Sequence, residues 1–176
     1  MPRPVPIRGR LDRIDSAAGG LRVIDWKFQW TRSDDRLNLV TQALRGRALQ
    51  PPLYAALAAR YAESAAGGER READAPVTVA VYAVRPDSRD GPVERLPYRP
   101  DPVTAGRIGD TIASLVAGIE DGLFPMIPER YCSWCDAAAA CRRRHAPSRA
   151  RAERDPRAAR LAAIRTTPAR DKDASA

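Results

Sequence analysis

Asp12, Asp25 and Lys27 are the residues of this 176-residue chain whose types and spacing could do chemistry together. Residues 5–15 and 21–30 read as two strands joined by Ser16-Ala17-Ala18-Gly19-Gly20, where glycine supplies the positive φ of a hairpin turn. With the turn centred between Ala18 and Gly19, Leu11 faces Trp26, Gly9 faces Phe28 and Ile7 faces Trp30 on an apolar side. On the other side Asp12 faces Asp25 and Arg10 faces Lys27. Opposed Cβ atoms stand ~4.5–5.5 Å apart, so two carboxylates there repel unless they share a proton or hold a cation between them. Such a pair suits Mg²⁺ or Mn²⁺, hard ions that take oxygen ligands and keep several waters. Lys27, two residues beyond Asp25, projects to the same face. Its ammonium could orient an attacking water and stabilise negative charge on a phosphorane-like transition state. The competing reading is a solvated hairpin face of alternating charges. Arginine supplies almost every cation of the chain: of 30 Lys+Arg, only Lys27 and Lys172 are lysines. That choice matters because lysine is a compact amine, whereas arginine is a delocalised fork.

The elements that must position these groups follow from the pattern. In the second strand Ile24, Trp26, Phe28 and Trp30 alternate with Asp25, Lys27 and Gln29. Residues 31–40 are polar loop. From about Val40 to Ala65 the spacing is helical, with Leu49, Leu53, Leu57 and Tyr61 four apart, and Pro51-Pro52 must kink or restart that helix. Ala66–Ala75 is a charged loop. Val77–Val84 reads as a buried strand and Val93–Tyr98 as a further short one. Pro102 opens an amphipathic helix through Ile108, Ile112, Leu115, Val116 and Ile119, ending near Gly122. There are no internal repeats, and Gly67-Gly68 lacks the Lys-Ser/Thr of a phosphate-cradling loop.

Gly9-Arg10-Leu11-Asp12-Arg13-Ile14-Asp15, then Val23-Ile24-Asp25-Trp26-Lys27, then Leu49-Gln50 with Leu53-Tyr54, resemble the PD-(D/E)XK nucleases of the RecB/AddB branch. The resemblance implies that Asp12 and Asp25 bind the catalytic metal, that Lys27 assists the water, and that Gln50 and Tyr54 on the next helix support the site. Gln50 and Tyr54 share a helix face at i and i+4. Pro51, however, biases Gln50 away from helical geometry, and Tyr54 reads equally well as a core aromatic. The fold implied is α/β, a restriction-endonuclease-like mixed sheet flanked by helices, entered here without its first core helix and strand.

Cys132-x2-Cys135-x5-Cys141, preceded by Gly122-Leu123-Phe124-Pro125 and Pro128, carries a second resemblance, to the iron–sulfur subset of that family. It implies that Cys132, Cys135 and Cys141 hold a [4Fe–4S] cluster, one of whose ligands is missing from this chain, and thiolates on a short loop favour such soft centres. A Cys₃His zinc site with His145 is the alternative, and three reduced thiols near the surface the plainest reading. Trp134 is expected to pack over the site rather than stack on bases.

Composition bounds the remainder. No apolar run approaches the ~18–20 residues of a membrane span, no secretory leader opens the chain, and three cysteines do not make a disulfide scaffold, so the expected place is the cytoplasm. The net charge is +8, of which residues 142–176 carry +7, with 11 basic and 4 acidic residues. Residues 1–145 are expected to form the nuclease domain, with the cysteine segment 132–141 inside it. Residues 146–176 are expected to be a basic tail, disordered or marginally helical over Arg149–Arg165, that adds phosphate affinity. The expected function is a metal-dependent DNA nuclease module of a DNA-repair helicase–nuclease, with DNA and a helicase subunit or domain as partners and no membrane. The alternatives are a catalytically incomplete DNA-binding or scaffolding remnant, and a zinc-binding interaction module.

Overall fold

A hairpin begins the sheet. The computed structural model describes residues 6–17, 20–28, 38–65, 77–84, 91–127 and 130–168. In it β1 (Arg13–Ala17) and β2 (Gly20–Phe28) pair antiparallel, with Arg13 opposite Ile24 and Ala17 opposite Gly20. This is the register expected from a turn centred between Ala18 and Gly19, two residues outside the described set. The first strand is shorter than expected: residues 6–12 run outside the ladder, which starts at Arg13. The Asp12 carboxylate takes the Trp26 N–H at 3.0 Å, so a side chain ends the pairing where a backbone carbonyl would continue it. Gln29 and Trp30, expected to extend the second strand, lie outside the described residues.

Strand β3 (Val77–Val84) runs parallel to β2, with Asp25 opposite Val81 and Lys27 opposite Ala83, and β4 (Val93–Tyr98) runs antiparallel to β3. The order β1-β2-β3-β4 is a mixed four-stranded sheet. A parallel pair needs a long crossover, and the β2–β3 connection carries α1 (Leu39–Leu44) and α2 (Gln50–Ala65). Asn38 caps α1, its Oδ1 accepting the Thr41 N–H at 3.0 Å. The single helix expected over 40–65 is therefore two. Gly46, at φ +63°, lies between them, and Pro51-Pro52 fall in the first turn of α2, where a missing N–H breaks no hydrogen bond.

Helix α2 packs on β2 and β3, but not through its largest side chains. Pro51 and Ala58 are buried, while Leu57 remains 39% and Tyr61 55% exposed. Small residues let the helix approach a sheet whose Val79, Ala80, Val81 and Ala83 are all buried.

The chain forms two compact units, one within Met1–Ala43 and Ala48–Asp101, the other within Leu44–Arg47 and Pro102–Ala176. The first holds the sheet and α2. The second holds α3 (Pro102–Glu120), single-turn 3₁₀ segments at Arg130–Trp134, Asp136–Ala139 and Arg142–Arg144, then α4 (Ala146–Arg154) and α5 (Pro156–Arg165). Helix α3 ends as expected: Gly122 adopts φ +65°, and the Leu123 N–H closes on the Gly118 carbonyl at 2.7 Å. Ile108 is buried, as are Thr111 and Gly118, but Ile119 of the expected apolar face is exposed.

The expected disordered tail is a correction: residues 146–165 are helical, and Ala158 and Leu161 are buried. Asp155 caps α5 by accepting the Arg157 N–H at 2.9 Å. Leu161 lies so close to Gly118 that a Cβ there would stand 3.0 Å from Leu161 Cδ1. Arg165 Nη1 donates to the carbonyls of Arg45 and Gly46 at 3.2 and 3.3 Å. Residues 169–176 lie outside the description. No helix among the described residues is long and apolar enough to cross a membrane.

Candidate active site

Strand β2 carries the charged pair at its centre. Asp25 is only 2% exposed, so the face it occupies is not the solvated one that alternation allowed. Burying a carboxylate is costly unless it is paired. Here the partner is Lys27, whose Nζ lies 3.2 Å from Asp25 Oδ1 and 3.0 Å from Oδ2. Oδ2 is fully buried and, among the described residues, makes no hydrogen bond; the Lys27 ammonium stands beside it. Lys27 itself is partly exposed, its side chain 40% accessible.

Asp12 is brought to the same stretch of β2, not as a ladder partner of Asp25 but through its bond to the N–H of the next residue, Trp26. Helix α2 supplies a second tie. Tyr54 Oη donates to the Arg10 carbonyl at 3.3 Å, and Gln50 Nε2 donates to Tyr54 Oη at 3.2 Å. Gln50 and Tyr54 therefore stack as an i, i+4 pair, because α2 already starts at Gln50 and Pro51 enters its first turn. Together they hold the segment Arg10–Asp12 that leads to β1. The structure thus links Gln50 and Tyr54 to the segment before Asp12, and Asp12 to the strand of Asp25 and Lys27. The Arg10 carbonyl and the Trp26 N–H are the connecting groups, and sequence reasoning missed both because backbone groups leave no mark in residue type.

The donor set fits a hard divalent cation in kind: two carboxylates, one with a buried oxygen free of hydrogen bonds. Asp12 and Asp25 are the residues that would hold it. Among the described residues no three His, Cys, Asp or Glu side chains gather into a metal-holding group.

A cleft of about 910 Å³ opens beside this site, between residues 6–10 and α2. Arg10, Gln50 and Tyr54 belong both to its wall and to the hydrogen-bond chain above.

The three cysteines lie in or immediately before the 3₁₀ segments. All three are thiols, and neither they nor His145 form part of any gathered metal-ligating group among the described residues. Cys135 and Cys141 each occupy an extended position immediately before a 3₁₀ turn. His145 precedes α4 with its Nδ1 2.8 Å from Ser148 Oγ. Trp134, expected to pack over the cysteines, is 77% exposed.

A mixed sheet with an Asp-x-Lys pair at its heart and helices against it defines a restriction-endonuclease-like α/β protein. The model of the PD-(D/E)XK nuclease superfamily matches residues 3–142, and the chain belongs to that superfamily. No curated protein and no solved structure matches it.

Proposed function

We propose that the chain is a metal-dependent deoxyribonuclease module that hydrolyses phosphodiester bonds at Asp12, Asp25 and Lys27. The single observation that supports this most is the buried Asp25 carboxylate, paired among the described residues with a half-exposed lysine. A pair meant for stability alone would gain more from an apolar substitution. A divalent cation bound there would polarise a phosphoryl oxygen and make a bound water acidic. Asp12 and Asp25 bring negative charge to one point of β2. Lys27 neutralises Asp25 and presents its remaining N–H donors to an attacking water and to the charge that grows on the phosphoryl oxygens. Gln50 and Tyr54 are positioning residues: through the Arg10 carbonyl they hold the segment bearing Asp12.

Incubation of linear DNA with the protein and Mg²⁺ or Mn²⁺ tests this directly. Cleavage is expected, and Asp25→Ala should abolish it. No cleavage with either metal, on single- or double-stranded substrates, would refute the proposal. That outcome together with salt-sensitive DNA binding would instead support a non-catalytic DNA-binding role.

The finer assignment, a cytoplasmic RecB/AddB-type repair nuclease working beside a helicase with an iron–sulfur centre at Cys132, Cys135 and Cys141, draws on the cysteine spacing. Iron and a broad ~400 nm absorbance in anaerobically purified protein are its expected signature. Zinc in their place would assign an interaction module.

A further inference from the structure

The cleft beside the carboxylates has a lining that the hydrolytic residues do not explain. On α2, Gln50, Leu53, Tyr54, Leu57 and Arg60 follow helical spacing and share one face, and all five line the cleft. The opposite wall is residues 6–10, with Arg8 and Arg10. Two properties of this lining matter. Its charge is of one sign: Arg8, Arg10 and Arg60 contribute, and no Asp or Glu does. Two of its large apolar side chains, Leu57 on one wall and Ile7 on the other, remain exposed. Cations alone would suit the outside of a duplex, which offers phosphates and sugars. Apolar and aromatic groups between those cations suit unpaired bases, whose faces stack while the phosphates meet arginine.

Resting on the nuclease reading, we propose that this cleft is the track for one unpaired DNA strand running to the carboxylates, with Arg8 and Arg60 on its phosphates and Ile7, Tyr54 and Leu57 against its bases. Position supports the assignment. From Arg10 to Asp12 is two residues of chain, at most about 7 Å, so a phosphodiester at Asp12 places the neighbouring nucleotide at the mouth of the cleft. From Gln50 to Arg60 the helix rises about 15 Å, which spans a few nucleotides. Arg60 at the far end therefore acts on affinity and strand form and not on the bond being broken.

The test is binding of a fluorescent ten-nucleotide single strand and of the matching duplex to the full chain, read by anisotropy in EDTA across a salt series. The Arg8→Ala/Arg60→Ala variant should bind the single strand about tenfold more weakly. Its log K against log[salt] should be flatter by about 1.4, because each single-strand phosphate contact contributes about 0.7. Duplex affinity should change less than twofold. Arg60→Glu, a single change on an exposed helix face, should weaken single-strand binding at least as much and serves if the double variant does not fold. Single-strand affinity within twofold of wild type, in a variant with an unchanged melting temperature, would overturn the proposal. The EDTA reading keeps the two ideas apart. Cleavage by a wild type whose single-strand binding ignores these arginines would refute the track and leave the nuclease standing. Arginine-dependent single-strand binding with no cleavage under any metal would refute the nuclease, and would keep the cleft as a strand-binding site.

Discussion

Replacing Lys27 with methionine keeps the aliphatic stem and removes the ammonium that stands 3.0 and 3.2 Å from the Asp25 oxygens. The carboxylate stays behind, buried, with Oδ2 lacking any hydrogen bond. Loss of one partner from a fully buried pair costs about 3–5 kcal/mol, and an exposed pair is worth about 0–1 kcal/mol. The Lys27 side chain is 40% exposed and that of Asp25 only 3%, so water screens one end of the pair and not the other. The expected loss lies between the two limits, about 2 kcal/mol, which for a chain of this size lowers Tm by about 4–8 °C. Asp25→Asn should behave differently. It removes the buried charge and lets Lys27 turn fully to water, so stability should stay within about 1 kcal/mol of wild type while DNA cleavage is lost. The double variant should resemble Asp25→Asn, giving a coupling free energy of about 2 kcal/mol. Urea unfolding in EDTA, so that no cation replaces the missing ammonium, measures all four proteins. Trp26, adjacent to Asp25 and 5.0 Å from the Tyr82 ring, supplies the fluorescence signal. Lys27→Met as stable as wild type, or Asp25→Asn less stable than Lys27→Met, would refute the reasoning, since either would mean that the Asp25 charge is balanced elsewhere.

Burial pushes the Tyr98 phenol up from 10.0 to about 12, because the phenolate loses its hydration. Its contribution to stability is therefore complete below pH 10.0 and is lost as pH rises through about 12, and Tyr98→Phe should remove that dependence in alkaline unfolding followed by circular dichroism. Gly46→Ala should destabilise by about 1–3 kcal/mol in thermal melts, because the position has φ +63° and the new Cβ would meet Leu115 Cδ1 at 3.0 Å. Leu161→Ala should cost about 2–4 kcal/mol by the same measurement, since the buried leucine fills the space over Gly118. A cost near zero would mean that α5 does not pack.

The sequence by itself determined the hairpin, its register and the side-sharing of Asp25 and Lys27. A two-residue turn leaves one pairing parity, and strand side chains repeat every second residue. It also determined the two further strands and the stop of α3 at Gly122. Tertiary structure decided which faces are buried. Alternation says that Asp25 and Lys27 lie together but not which side of β2 meets the core, and the side proved to be the one carrying the carboxylate. Helix α2 offered a large apolar stripe and a small one; the small one lies on the sheet because it permits close approach, and the large one is left to line a cleft. Helix α5 looked too rich in alanine and arginine to pack, and locally it is. Its partners, Gly118 and the carbonyls of Arg45 and Gly46, are distant in the chain, so only the folded protein brings them within reach of Leu161 and Arg165. Local chemistry sets what each segment can be, and the contacts that close it come from elsewhere.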